Sequence, residues 1–293
     1  MSLEHIRSWT IGEVEVTRIV EVNNHVDPLA FLLEGGSREL MKQYDWLFPH
    51  FSTPEGDLMI SFQCFVVETP GRRIMIDTCI GNDRWREHAI FNDMQTSFLQ
   101  DLEHAGYPPE SIDTVLCTHL HFDHVGWNTR KRNGEWVPTF PNARYLLGRT
   151  EWDHWKQVPR DGTVHAQHLV DSIQPILDAK LADFIESDHR VCDEIRLLPT
   201  PGHTPGHVSV HIRSQGQEAV ITGDMMHHPI QIARPLMPAN FCMDKSQACQ
   251  TRKAFVDRFG GSKVLIIGSH FCDPTVGWIE RDKDNWRFRI KED

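Results

Sequence analysis

The chain has 293 residues, enough for one large domain or two small ones. Hydrophobic residues at 40% and charged residues at 24% describe an ordinary globular protein able to bury a core. The net charge of −11 argues against a nucleic-acid backbone as the main partner. No apolar run approaches the roughly 18 residues of a membrane helix. The opening MSLEHIRSWT lacks the apolar core of a secretory leader, and its MSL can be read as a cloning remnant. Seven Cys, odd in number and without a C-x-x-C pair, predict reduced thiols and a cytoplasmic location. The 18 His are the unusual feature.

In chain order, residues 11–20 (IGEVEVTRIV) alternate apolar and polar as a half-buried strand does. Residues 21–58 read as an N-terminal arm or loop, with the aromatic stretch Trp46 to Phe51 either packing as core or covering a site. Ile60–Glu68 and Arg73–Asp77 flank Pro70-Gly71 and predict a β-hairpin that ends in Asp77. Asp93 to Ala105 predicts a helix capped by Asp93. A buried strand ends at Cys117 and is followed by Thr118 to Asn128, THLHFDHVGWN. Beyond it come a polar excursion with Asn133-Gly134, a strand over 143–147, and a short helix capped by Thr150. His165 and His168 precede a helix over 169–180. A strand over 195–199 leads into TPGHTPGH, and a second hairpin, 208–212 with 218–221, ends in TGD at Asp224. Residues 225–241 carry three Pro and no periodicity, so they predict a loop; 244–259 is an amphipathic helix and 263–267 a strand leading to Gly268-Ser269-His270. The two hairpins share one layout, a faint internal repeat.

The chemistry concentrates in THLHFDHVG. Side chains at i and i+2 of an extended segment share a face, so His119 and His121 can reach one metal ion. Asp123 and His124, past the bend that Gly126 allows, can turn toward a second. Imidazole and carboxylate suit a borderline ion such as zinc.

This stretch resembles the metal-binding signature of the metallo-β-lactamase-fold hydrolases. The resemblance covers residues 77–270 and implies an α+β fold, a four-layer αββα sandwich, with 1–293 as a single domain. It implies that His119, His121 and His203 hold one metal, that Asp123, His124 and His270 hold another, and that Asp224 bridges them. Asp77 and Thr118 are candidates to orient ligand imidazoles, although Asp77 can equally cap its turn. His207 reads as a packing or supporting residue.

The resemblance narrows further by its departures. Asp224 stands where zinc β-lactamases with a Cys ligand carry that Cys. His227 stands where acyl-homoserine lactonases carry a Tyr. GDMMHHPIQI followed by Asp244, Ala248 and Arg252 is similar to the lactonase and methyl-parathion-hydrolase-like branch. That implies a dinuclear zinc-dependent hydrolase that uses a metal-bridging hydroxide to open a lactone or cleave a related ester. Asp123, Asp224 and His227 are its candidate catalytic residues, with His227 orienting the leaving group. Two Zn2+ are expected, with Mn2+, Fe2+ or Co2+ as alternatives. The expected partner is a small ester or lactone, with no nucleic acid and no membrane, and a homodimer is a candidate assembly. The competing readings are a glyoxalase II-like thioesterase, a phosphotriesterase, a mononuclear-iron sulfur dioxygenase, a nucleic-acid phosphodiesterase, or an inactive binding module. The loop 225–241, the arm at 46–51, Trp127 and Trp152 are expected to wall an apolar pocket over the metals.

Overall fold

The computed structural model describes residues 6–27, 29–159 and 166–291, so His165 and the MSL start lie outside the described residues. The chain falls into two compact units, Met1–Glu21 with Phe62–Glu186, and Val22–Ser61 with Ser187–Asp293. No described helix is long and apolar enough to cross a membrane.

The first unit is built on a mixed sheet. Strands β1 (Ile6–Ile11) and β2 (Val14–Asp27) pair antiparallel about a turn at Gly12, φ +62°, so the strand expected over 11–20 is β2 from Val14 onward, with β1 as an unexpected partner before it. Strand β2 also runs past residue 21, taking in the start of the expected arm. Strands β3 (Leu58–Thr69) and β4 (Arg72–Ile76) form the expected hairpin. Strand β4 then pairs in parallel with β5 (Thr114–Leu116). The polar excursion is a separate two-stranded hairpin, β6 (Thr129–Arg132) and β7 (Glu135–Pro138). Strands β8 (Arg144–Gly148) and β9 (Ala182–Ile185) extend the sheet in parallel. The helix expected from Asp93 starts at Phe98 with Ser97 before it, because Asp93 sits at φ +51°, outside helical space. The helix Arg149–Trp155 follows Gly148, not a Thr150 cap. The last predicted helix of this unit is a π-turn, Leu169–Ile173, continued by Gln174–Asp178. One apolar cluster, including Val66, Met75, Phe98, Leu102, Val115 and Leu169, fills the core.

Behind the His-rich loop lies a buried ionic cluster that the sequence does not announce. Arg84 and Arg86, both buried, meet the two oxygens of Asp171 at 3.0 and 2.7 Å. Arg84 also donates to the carbonyls of Gly126 and Thr129, both at 2.5 Å, and lies over the Trp136 ring. Burial alone would raise the Asp171 pKa, but the two guanidinium groups outweigh it and hold the carboxyl below its ordinary range. Burial brings the Arg84 guanidinium down to about 10, against the opposing pull of Asp171.

The second unit carries a six-stranded sheet in sequence order: β10 (Ile195–Pro199), β11 (Val208–Ser214), β12 (Gln217–Ile221), β13 (Leu265–Ile267), β14 (Val276–Asp282) and β15 (Asn285–Ile290). All neighbours pair antiparallel except β12 with β13. Hairpin then parallel strand thus occurs in both units, which gives the faint repeat a structural basis. The helix Lys245–Phe259 buries Ala248, Arg252, Phe255 and Phe259 along one face, and Asp244 caps it by accepting the Gln247 N–H.

The aromatic arm divides by residue. Phe51 is fully buried against the rings of His228, Phe271 and Phe288, whereas Phe48 is 53% exposed. His228 locks this packing as a neutral ring. Its Nδ1 accepts the Ile230 N–H at 3.1 Å, so Nε2 carries the hydrogen and donates to the Phe51 carbonyl at 2.7 Å.

Two outcomes follow. Asp171→Asn leaves two buried guanidinium groups without a counter-charge, and should cost about 3–5 kcal/mol in urea unfolding. Burial lowers His228 from 6.5 to about 4. The unfolded chain takes up that proton below about 6.5 and the folded chain does not, so stability should fall as pH drops from 6.5 toward 4. The loss should be on the order of 3 kcal/mol. Denaturation of His228→Gln across that window should show a shallower slope, with the remainder coming from His168, which burial lowers to about 3.

Candidate metal centre

In each unit, candidate metal donors sit at the carboxyl ends of parallel strands. There the backbone leaves its sheet and polar side chains can converge. In the first unit, Asp77 follows β4 and the His-rich loop follows β5, with the Asp77 N–H still bonded to the Leu116 carbonyl. In the second, Asp224 follows β12 and His270 follows β13, with Thr222 N–H bonded to the Ile267 carbonyl. His203 lies in the turn between β10 and β11.

Asp77 takes the orienting role left open for it. Its Oδ1 accepts the Thr118 N–H at 2.7 Å, and its Oδ2 accepts the Thr118 hydroxyl at 2.8 Å and the His124 Nδ1–H at 2.8 Å. With its hydrogen given to Asp77, Thr118 Oγ1 accepts from His119 Nδ1 at 3.1 Å. His119 and His124 are therefore both held at Nδ1 and keep Nε2 bare, as metal-ligating imidazoles do. His119 Nε2 stands 3.0 Å from His121 Nδ1. Asp123 and His124 lie on the helical turn Phe122–Val125, 3.7 Å apart at Oδ2 and Nε2. Gly126 is needed for space and not for a turn. Its backbone is αR, and a Cβ there would lie 1.9 Å from the Ile80 carbonyl oxygen.

In the second unit, Asp224 is the hub. Its Oδ1 lies 3.0 Å from His270 Nε2, and its Oδ2 lies 3.3 Å from both His203 Nε2 and His227 Nε2. His270 donates Nδ1–H to the Ser61 carbonyl at 2.9 Å, which leaves Nε2 bare and facing a carboxylate oxygen. Two lone-pair atoms opposed at this distance suit a cation between them, so the donor set fits a divalent ion. His207 carries the supporting role read from sequence: it accepts the Asp224 N–H at Nε2, 2.8 Å, and is tied to Thr200 through Nδ1. His203 Nδ1 lies 3.7 Å from Cys242 Sγ.

The Asp-Ala-Arg face of the long helix supports these loops. A Cβ on Gly202, at φ +128°, would lie 2.2 Å from the Ala248 nitrogen, so His203 is carried in close contact with this helix. Arg252, fully buried, donates to the carbonyls of Met225, Pro235 and Met237 and clamps the loop that bears His227. His227 is 4% exposed and stacks parallel to His270; burial lowers its pKa. Its Nδ1 has no hydrogen-bond partner among the described residues.

Several residues expected to wall a pocket are engaged elsewhere. Trp127 belongs to the core of the first unit, stacked on Phe98 at 5.4 Å with its indole N–H given to Glu21. Trp152 stacks on Phe184. Residues 225–233 are buried and include the helical turn Ile230–Ala233; Leu236 and Phe241 are exposed. Trp46 instead lines an open cavity of about 690 Å³ with Tyr44, Asp282 and Trp286, remote in sequence from every donor. Sequence reasoning missed Glu21, Arg84, Glu151 and Asp171, which hold the His-rich loop from strands and helices far along the chain.

The N-acyl homoserine lactonase of Bacillus thuringiensis is 27% identical over 182 residues, covering 58% of this chain and 65% of the relative. The match therefore spans less than two thirds of that relative's length. The solved structure of AidC, a dizinc quorum-quenching lactonase in complex with a product, has a TM-score of 0.81 at 22% identity over 100% of this chain and 99% of its own. That of the hydrolase AbOPH, in the beta-lactamase superfamily, has a TM-score of 0.79 at 24% identity over 100% of both chains. These likenesses show the expected α+β sandwich fold. Residues 63–278 match the metallo-beta-lactamase superfamily, well over half of the chain, and the protein belongs to that superfamily.

Proposed function

We propose that this protein is a hydrolase that opens lactones or related esters with the help of two divalent ions, zinc by preference. The observation that carries the reading is Asp224, whose two oxygens each face imidazole nitrogens from different loops. In this reading His119, His121 and His203 hold one ion, Asp123, His124 and His270 hold the other, and Asp224 is shared. The dizinc lactonase among the similar structures supports the metal, and the homoserine lactonases support the substrate. The negative net charge supports a small neutral ester over a nucleic acid. Seven free cysteines, six of them buried, support a reducing compartment such as the cytoplasm. Strands β2 and β3 each contribute residues to both units, which supports reading 1–293 as one working domain. A homodimer remains our expectation from the sequence.

Divalent ions supply Lewis acidity toward a carbonyl oxygen and a nucleophile at neutral pH. The chain's own residues set up that chemistry. Asp77 and Thr118 fix the tautomers of His124 and His119. The Ser61 carbonyl does so for His270, and His207 holds the backbone of Asp224. His227, neutral because burial disfavours its cation, bonds Asp224 through Nε2–H, so its Nδ1 is an acceptor. In this reading Nδ1 takes the proton that the attacking water gives up and hands it to the leaving oxygen, which departs as a hydroxyl.

The test is a rate panel of the zinc- and manganese-loaded protein against lactones, aryl esters, thioesters and phosphotriesters. Lactones should be turned over fastest; preference for another class would replace this substrate with that one. Asp224→Ala should abolish turnover and lower metal content, and two ions with full activity in that variant would end the dinuclear reading. His203 and His227 stand equally far from Asp224 Oδ2, so distance does not tell them apart. His203→Ala should lose one ion. His227→Ala should keep both and lower kcat several-fold to about a hundredfold, more for an aliphatic lactone than for a nitrophenyl ester. Metal loss in the His227 variant would make it a ligand.

A further inference from the structure

We propose that Glu151 is the positioning residue for His119 and His121, an inference that rests on reading those two imidazoles as metal ligands. Glu151 is 1% exposed and lies on the helix Arg149–Trp155. Its Oε1 accepts two hydrogen bonds at once, from the Leu120 backbone N–H at 3.1 Å and from the Trp155 indole N–H at 2.7 Å. Leu120 is the middle residue of His-Leu-His and is itself fully buried. Holding its N–H fixes the peptide plane between the two imidazoles. That sets the direction in which His119 and His121 leave the backbone on their shared face.

The second bond acts on the side chain. Trp155, one turn along the same helix, stands edge-on to the His121 ring with centroids 5.6 Å apart and an interplanar angle of 81°. His168 and His154 also meet that indole edge-on, at 4.9 and 5.4 Å. One carboxylate oxygen therefore governs both the backbone between the ligands and the ring against which His121 packs. A buried carboxylate is costly unless its hydrogen bonds are made, and an apolar side chain would pack this helix without that cost. The bonds to the Leu120 N–H and the Trp155 indole account for a buried acceptor at this place.

The full-length protein, stripped of metal with a chelator, is titrated with Zn2+ against a chromophoric competitor in the wild type, Glu151→Ala and Glu151→Gln. Thermal melts and hydrogen exchange at the Leu120 amide are followed alongside. The wild type should take up two ions. Glu151→Ala should weaken one of them by about 10–100-fold, leave the other within a few-fold, and speed exchange at Leu120. Glu151→Gln, whose amide oxygen can accept the same two bonds, should recover the affinity and the slow exchange. Should Glu151→Ala fail to fold, Glu151→Asp, with a shorter reach, takes its place with the same expectation. Equal Zn2+ affinity in the alanine variant overturns the proposal even if its melting temperature falls, since helix packing alone predicts that result. A glutamine variant as weak as alanine also overturns it, by assigning the effect to charge. A wild type that takes up no Zn2+ overturns the metal reading and this inference with it.

Discussion

The segment from Thr118 to Asn128 leaves its strand and has no ladder to pair with, yet it is largely buried. Backbone polar groups buried in this way must find partners, because an unmade hydrogen bond in the interior costs about 1–3 kcal/mol. The carbonyls of Cys79 and Thr78 take the Gly126 and Trp127 N–H groups, and charged side chains supply further partners. Asp77 takes the Thr118 N–H, Glu151 takes the Leu120 N–H, Arg84 donates to the Gly126 carbonyl, and Glu21 accepts the Trp127 indole. Each comes from a different strand, helix or loop of the same unit. The loop is rigid because it is tied at these points, and ligand side chains on a rigid loop can be aimed.

The second unit solves the same problem with neutral groups. His207 accepts the Asp224 N–H, the Ser61 carbonyl receives His270, and Gln231 accepts the N–H groups of His227 and His228 through one oxygen. Arg252 supplies the one buried cation, spent on three carbonyls of the His227 loop. The helix signature Asp244, Ala248, Arg252 thereby acquires a physical meaning. The acid caps the helix, the small residue lets the Gly202 backbone approach, and the guanidinium holds the loop beyond Asp224. None of the three is a candidate ligand, and all three bear on where the ligands point.

The same economy explains which aromatic residues serve the site. Large apolar side chains near the His-rich loop suggested a pocket wall, but Trp127 and Phe51 are consumed by the cores of their units. A tryptophan beside a ligand loop is as useful for anchoring that loop as for meeting a substrate. Here the indole N–H given to buried Glu21 shows that anchoring is what Trp127 does.

The amino-acid sequence by itself determined the candidate donors. H-x-H-x-D-H is dense enough to be read without a structure, and its ligand spacing is local, set by the geometry of an extended segment and one helical turn. The hairpins ending in Asp77 and Asp224 were legible for the same reason, since Pro-Gly turns and strand alternation are short-range signals. Other features were not legible. The hairpin of β1 and β2 hid in a continuous alternation broken only by Gly12. The last two strands follow the final motif and carry none of their own. The partners of the loop, Glu21, Arg84, Glu151 and Asp171, lie 31 to 106 positions away in sequence from the groups they hold. Contacts at such separations obey no periodicity, so only the tertiary structure, by deciding which groups lose water together, could select them.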